Sequence, residues 1–176
     1  MKCLRLVFTL VFVCVILAGC DIVDNIRNAQ KEFEIPEYNL KISADIDFEK
    51  VDASNLDLQI TDGSCYLSVM AYKSVDLAEG QSTKDVYDFH NSDLFSKRDN
   101  VSVIEDESTE TLSGKSIVKT CYSAENNGVK NYYYSYLVDF GGDGAFAWVL
   151  ATGVPSYMES NAERLDNIVK TLEFIK

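Results

Sequence analysis

The chain has 176 residues, 28 of them aspartate or glutamate against 16 lysines and arginines, a formal net charge of −12. Nucleic-acid binding rests on basic side chains that neutralise phosphates, and docking on anionic lipid rests on polybasic clusters. The balance excludes both as the basis of function, so no nucleic-acid partner is expected.

Lys2 and Arg5 open the chain, an apolar run follows from Leu6 to Leu17, and the small residues Ala18 and Gly19 precede Cys20. These are the three parts of a secretory signal. The run spans 12 residues, short of the roughly 20 that a helix needs to cross a hydrocarbon core of about 30 Å. Residues 1–19 therefore read as a cleaved signal peptide. Leu17-Ala18-Gly19-Cys20 resembles the lipobox of bacterial lipoproteins. The resemblance implies a diacylglyceryl thioether on the Cys20 sulfur and cleavage that leaves Cys20 as the first mature residue. It also implies a location at the extracytoplasmic face of the cell membrane. The alternative is an ordinary secreted protein in which a cysteine happens to fall at the cleavage site. Residues 20–176 hold 14 basic and 28 acidic side chains, a net charge of −14, so lipid is the expected membrane contact. From Asp21 to Tyr38 the chain is polar, with Ile22, Val23, Ile26 and Phe33 scattered through it up to Pro36. Residues 20–38 read as a lipid-anchored tether and residues 39–176 as one domain.

Beyond Tyr38 the apolar period is two, as strands require. Leu40, Ile42, Ala44, Ile46 and Phe48 alternate with polar neighbours in a first strand. Strands over Leu56–Ile60 and Cys65–Tyr72 are joined through Asp62-Gly63, a pair suited to a tight hairpin. Ser82 to Asp85 has capping-box spacing, and Val86, Phe89 and Leu94 follow at roughly helical spacing, which predicts a helix over about 83–97. Strands resume over Val101–Ser108, Lys115–Ser123, Lys130–Phe140 and Ala145–Thr152. Asn127-Gly128 and Gly141-Gly142-Asp143-Gly144 mark the last two turns and make the final three strands an antiparallel meander.

In the last strand Phe146, Trp148 and Leu150 point one way and Ala145, Ala147, Val149 and Ala151 the other, so neither face is polar. Such a strand is covered on both sides. A terminal helix over about 156–171 supplies one cover: Ser156 and Glu159 form its capping box, and Met158, Ala162, Leu165, Val169 and Leu172 form an apolar stripe.

This order of early strands, middle helix, Gly114 leading into a long meander, and a terminal helix ending Thr171-Leu172-Glu173-Phe174 resembles the PsbP-like fold over residues 39–176. The resemblance implies an α+β protein, an α/β/α sandwich around a mainly antiparallel sheet of about six or seven strands. It further implies a noncatalytic binding or assembly protein.

Candidate chemistry is sparse. His90 is the single histidine, so neither a Ser-His-Asp arrangement nor a zinc site assembles readily, and the glycines at 141, 142 and 144 sit between strands rather than before a helix. Catalytic residues, cofactors and enzymatic activity are not expected. Asp45, Asp47 and Glu49 fall two apart, which would align three carboxylates on one strand face as weak candidate metal ligands or as a solvated, charged edge. Tyr132, Tyr134 and Tyr136 share a strand face, either a recognition surface or a layer beneath a helix. Cys65 and Cys121 are either a disulfide pair or two buried thiols. The expected function is a lipid-anchored, noncatalytic binding module for an envelope or cell-surface protein. The alternative is an assembly or stabilising factor for a membrane or envelope complex.

Overall fold

The computed structural model describes residues 29–142 and 144–175. Their elements run β1 (Gln30–Ile35), β2 (Leu40–Asp45), β3 (Glu49–Lys50), β4 (Leu58–Thr61), β5 (Cys65–Lys73), α1 (Thr83–Phe95), β6 (Asp99–Leu112), β7 (Lys115–Asn126), β8 (Val129–Asp139), β9 (Ala145–Gly153), α2 (Pro155–Ser160), α3 (Ala162–Lys170) and β10 (Glu173–Phe174). Local chemistry sets the joints. Asp62 turns the β4–β5 hairpin by accepting hydrogen bonds from the backbone N–H groups of Ser64 and Cys65 at 2.9 and 3.0 Å. Asn127 and Gly128 have φ of 52° and 76°, the left-handed pair that a two-residue hairpin turn requires. Ser82 and Asp85 close a reciprocal capping box at the start of α1.

Seven strands form one sheet in the order β3-β4-β5-β9-β8-β7-β6, and β1-β2-β10 form a second. All pairings are antiparallel. The two apolar faces of β9 enter different cores. Phe146, Trp148 and Leu150 pack with Tyr87, Tyr133 and Leu137 beneath α1. Ala145, Ala147, Val149 and Ala151 pack with Ile42, Met158, Leu165 and Val169, beneath the small sheet and the terminal helices. The small side chains on that face let a second layer approach closely. The architecture is the expected α+β sandwich, with the three-stranded sheet as an addition to it.

Several boundaries differ from expectation. Residues 30–38, read as tether, carry β1 and a 3-10 turn over Pro36–Tyr38. Phe33 and Ile35 are buried while Lys31, Glu32 and Glu34 face water, so only one side of this edge strand is apolar. Residues 20–28, with Cys20, lie outside the described residues. The first strand stops at Asp45 rather than running to Phe48: Ile46 is exposed, and Glu49 and Lys50 join the other sheet. The terminal helix breaks at Asn161, whose backbone (φ −118°, ψ 14°) ends α2 and starts α3. Its side-chain amide donates to the Tyr157 carbonyl at 2.9 Å, satisfying one acceptor at the break.

Cys65 and Cys121 are free thiols, both buried. They sit on β5 and β7, separated by β9 and β8. Three strand spacings make about 14 Å, twice the roughly 7 Å limit for bridged Cα atoms, so the possible disulfide is excluded. Burial pushes the Cys65 thiol up to about 12 from 9.0, lowering its thiolate fraction about a thousandfold. Burial, together with a hydrogen bond to Glu105, raises Cys121 as well. Maleimide labelling at pH 8 is expected to leave both untouched in the folded domain and to modify both after urea unfolding. Labelling of either thiol without unfolding would contradict this packing.

Candidate functional site

The expected site residues disperse in the fold. Tyr132, Tyr134 and Tyr136 do share one face of β8, but that face is the floor of the core under α2 and α3. Tyr134 and Tyr136 are 2% and 1% exposed, and Tyr132 is half-buried. The Tyr136 hydroxyl donates to Asp166 on α3 at 2.7 Å. Lys119 also reaches Asp166, at 3.0 Å, and lies 4.8 Å above the Tyr134 ring. The stripe is therefore a packing layer beneath the helices and not an open recognition surface.

Asp45, Asp47 and Glu49 do not line one strand, because β2 ends at Asp45 and Glu49 belongs to β3. Arg164 on α3 takes the first two instead: Nε lies 2.5 Å from Asp45, and Nη2 lies 2.7 and 2.9 Å from the Asp47 oxygens. Its Nη1 donates to Asp62 at 3.1 Å and to the Tyr157 hydroxyl at 2.9 Å, and the Tyr157 hydroxyl donates to Asp62. This guanidinium clamps α3 to the turns after β2 and β4. The carboxylates are charge partners of an arginine, and among the described residues no three metal-ligating side chains converge. Burial alone would raise the Asp62 carboxyl, but the Tyr157 hydroxyl, the Ser64 and Cys65 amides and Arg164 outweigh it and hold it below 3.8.

The opposite face of the large sheet is organised differently. Between α1 and strands β5 and β9 lies an open cleft of about 320 Å³. The rings of Tyr72, Phe89, His90 and Phe146 line it together with the polar or charged Lys73, Asp76 and Gln81, and Trp148 lies behind His90. Tyr72 stacks on Phe146 with centroids 5.1 Å apart, and His90 stacks on Trp148 at 4.9 Å. The Tyr72 hydroxyl lies 2.6 Å from His90 Nε2, which joins the two stacks. Burial lowers the imidazole's pKa below 6.5, so the ring is neutral at pH 7. Phe89 meets His90 edge-on at 5.6 Å and is itself 66% exposed. The neighbouring Ser74–Asp76 turn exposes Val75, adding apolar surface near the rim.

Behind the rings, a buried polar network fixes α1 on the sheet. Ser135 Oγ donates to Asn91 Oδ1 at 2.6 Å, and Trp148 Nε1 donates to Ser135 Oγ at 2.9 Å. The Tyr87 hydroxyl donates to the Ser135 carbonyl at 3.2 Å. Such a network holds the helix in one register, since sliding it would strand several buried polar groups. The cleft is thus pre-formed and stiff-walled, with a neutral polar pair at its centre. Burial also raises the Tyr72 hydroxyl above its ordinary value, which keeps the phenol protonated beside the imidazole. Val86, Phe89 and Leu94 set the apolar spacing that marks α1, whereas Tyr87 and Asn91 are its buried pair. The available signal was their i, i+4 spacing.

Compared as a sequence, the chain matches no protein-family model and no curated protein. As a fold it is similar to several solved structures. Cyanobacterial PsbP (CyanoP) from Synechocystis superposes with a TM-score of 0.62 at 10% identity, covering 83% of this chain and 92% of that one. LpqN of Mycobacterium tuberculosis, involved in cell envelope biogenesis, superposes at 0.60 with 15% identity, covering 86% and 95%. The Ran-binding protein Mog1p of Saccharomyces cerevisiae superposes at 0.57 with 10% identity, covering 84% and 96%. Identities this low speak to the fold alone. The chain has the α+β fold that PsbP, LpqN and Mog1p share.

Proposed function

We propose that this chain is a noncatalytic binding module, held at the extracytoplasmic face of the cell membrane by lipid on Cys20, that engages an envelope or cell-surface protein through the aromatic cleft beside α1. The observation that carries this reading is Phe89, a largely exposed ring beside a cleft walled by aromatic rings and rimmed by Lys73 and Asp76. A partner side chain entering the cleft would bury Phe89, and aromatic anchors at the centre of an interface dominate binding energy. The neutral Tyr72–His90 pair offers a hydrogen bond without charge, as contact surfaces commonly do. LpqN's involvement in cell envelope biogenesis and Mog1p's binding of Ran support a binding role on this fold, and the former favours assembly of an envelope complex as the second reading.

The test is site-specific photo-cross-linking on membranes carrying the full chain. A photoreactive phenylalanine at position 89 is expected to trap a discrete protein, and one at exposed Val129 is not. Phe89→Asp should weaken that capture about 30-fold, the equivalent of a 2 kcal/mol hot spot, with the unfolding temperature unchanged. Equal trapping from both positions, or capture insensitive to Phe89→Asp, would sink the reading. Loss of a client complex in step with capture would favour assembly over simple binding.

A further inference from the structure

Arg98 follows α1 on the link to β6, and it is the unmatched member of a pair. Of the two arginines among the described residues, Arg164 gathers three carboxylates while Arg98 forms no ion pair. Its Nη1 donates to the Lys97 carbonyl at 3.1 Å. Among the described residues its Nε and Asn91 Nδ2 are the two buried side-chain donors without a hydrogen-bond partner, and only Nε belongs to a charged group. Native folds rarely leave a buried donor unmade, and one on a charged group points to a missing acceptor.

That guanidinium borders a cleft of about 330 Å³ at one end of the large sheet, which shares no lining residue with the aromatic cleft. Asn126 and Asn131 by the β7–β8 turn contribute neutral polar groups, and Tyr66, Leu150 and Val154 contribute apolar surface. No acidic side chain lines the cleft, although the chain as a whole carries a net charge of −12. Tyr66 and Val154 are both exposed at its mouth.

We propose that this cleft binds a carboxylate carried on an apolar group, anchored by the Nε–Nη2 edge of Arg98. With Nη1 held by Lys97, the remaining edge carries two parallel N–H groups, the fork that matches the two oxygens of a carboxylate, and a ligand reaches the buried Nε–H by displacing the side chains that cover it. One guanidinium neutralises one charge. A phosphate dianion would meet a single cation inside a strongly acidic molecule, which makes it the poorer match. The apolar walls accept a side chain of about leucine size beside the carboxylate. Two sources share this chemistry: the C-terminal carboxylate of an extended peptide with an apolar last residue, and a free short-chain acid.

The test uses the full chain, labelled with nitrogen-15 in detergent micelles, and follows the Arg98 Nε–H resonance. The probes are N-acetyl-alanyl-alanyl-leucine, the same peptide as its C-terminal amide, and isocaproate. The peptide acid is expected to shift the resonance saturably, with the amide at least about tenfold weaker. Arg98→Lys keeps the charge but loses the fork, and should weaken binding about tenfold. Arg98→Gln should abolish it while the backbone amides of β5 and β9 stay in place. Preference for the peptide over isocaproate assigns a peptide terminus, and comparable binding assigns a free acid. Equal binding of acid and amide, no shift up to about 10 mM of any acid, or full binding by Arg98→Gln would overturn the proposal. Should Arg98→Gln fail to fold, the acid–amide comparison on the unaltered protein and Arg98→Lys decide it.

Discussion

Replacing Arg164 with alanine is expected to lower stability at pH 7 by about 3 kcal/mol, the usual consequence of removing one partner from a buried ion pair. The side chain of Asp62 is only 4% exposed, so its carboxylate stays dry when the guanidinium is gone. Asp45 and Asp47 would then repel each other across a turn that Arg164 had closed. In a domain of this size the loss corresponds to roughly 6–12 °C in unfolding temperature. Asp62→Asn in the same background removes the stranded charge and should restore part of the loss, a coupling that a double-mutant cycle measures. Single and double variants of equal stability would disprove the clamp. The pH dependence has a definite sign. The folded Asp62 carboxyl lies below 3.8, so its contribution is present above that value and disappears as pH falls through the lower folded value. Arg164→Ala removes one cause of the depression, and its stability should fall less steeply than that of the natural protein on acidification below pH 4.

Arg164 also illustrates which parts of the molecule can be read from the chain. It contacts residues more than a hundred positions away, and no local pattern connects position 164 with 45, 47 and 62. Asp45 and Asp47 stood out by their spacing, but spacing alone cannot distinguish a metal ligand from an ion-pair partner. The alternation of β9 was legible because both of its faces are apolar, and that pattern has few solutions in a layered fold. Asp62-Gly63, Asn127-Gly128 and the Ser82 capping box were legible because their chemistry is local. β1 was missed because an edge strand needs few apolar residues, and Phe33 and Ile35 are too few to announce one. The tyrosines of β8 show the limit of periodicity. A period of two says that Tyr132, Tyr134 and Tyr136 share a side, and only the position of α2 and α3 decides whether that side is wet. The aromatic cleft was hidden for a related reason: Tyr72, His90, Phe146 and Trp148 come from three elements whose adjacency is tertiary.

On the proposed reading, lipid on Cys20 holds the domain that carries the two clefts at the membrane. Among the described residues no helix is long and apolar enough to cross one. Residues 20–176 carry a net charge of −14, which an anionic bilayer repels. Anchoring is therefore expected to depend wholly on Cys20. A single acyl chain binds reversibly, with a constant of about 10⁴ M⁻¹, and a second chain converts this to stable attachment. Cys20→Ser should abolish palmitate incorporation. That variant is also expected to keep its apolar leader uncleaved, so its membrane-bound fraction would not isolate the effect of the lipid. A clean comparison exports residues 20–176 with Cys20→Ser behind a signal that an ordinary signal peptidase removes. Its membrane-bound fraction should fall at least about a hundredfold, because no second attachment remains. Unchanged membrane binding without acylation would refute the lipid anchor. Anchoring and recognition are physically separable in this arrangement, so the released domain should still yield the Phe89 cross-link when mixed with membranes that contain the partner. A released domain that cross-links only at much higher concentration would mean that the lipid acts by raising the local concentration of a weak binder.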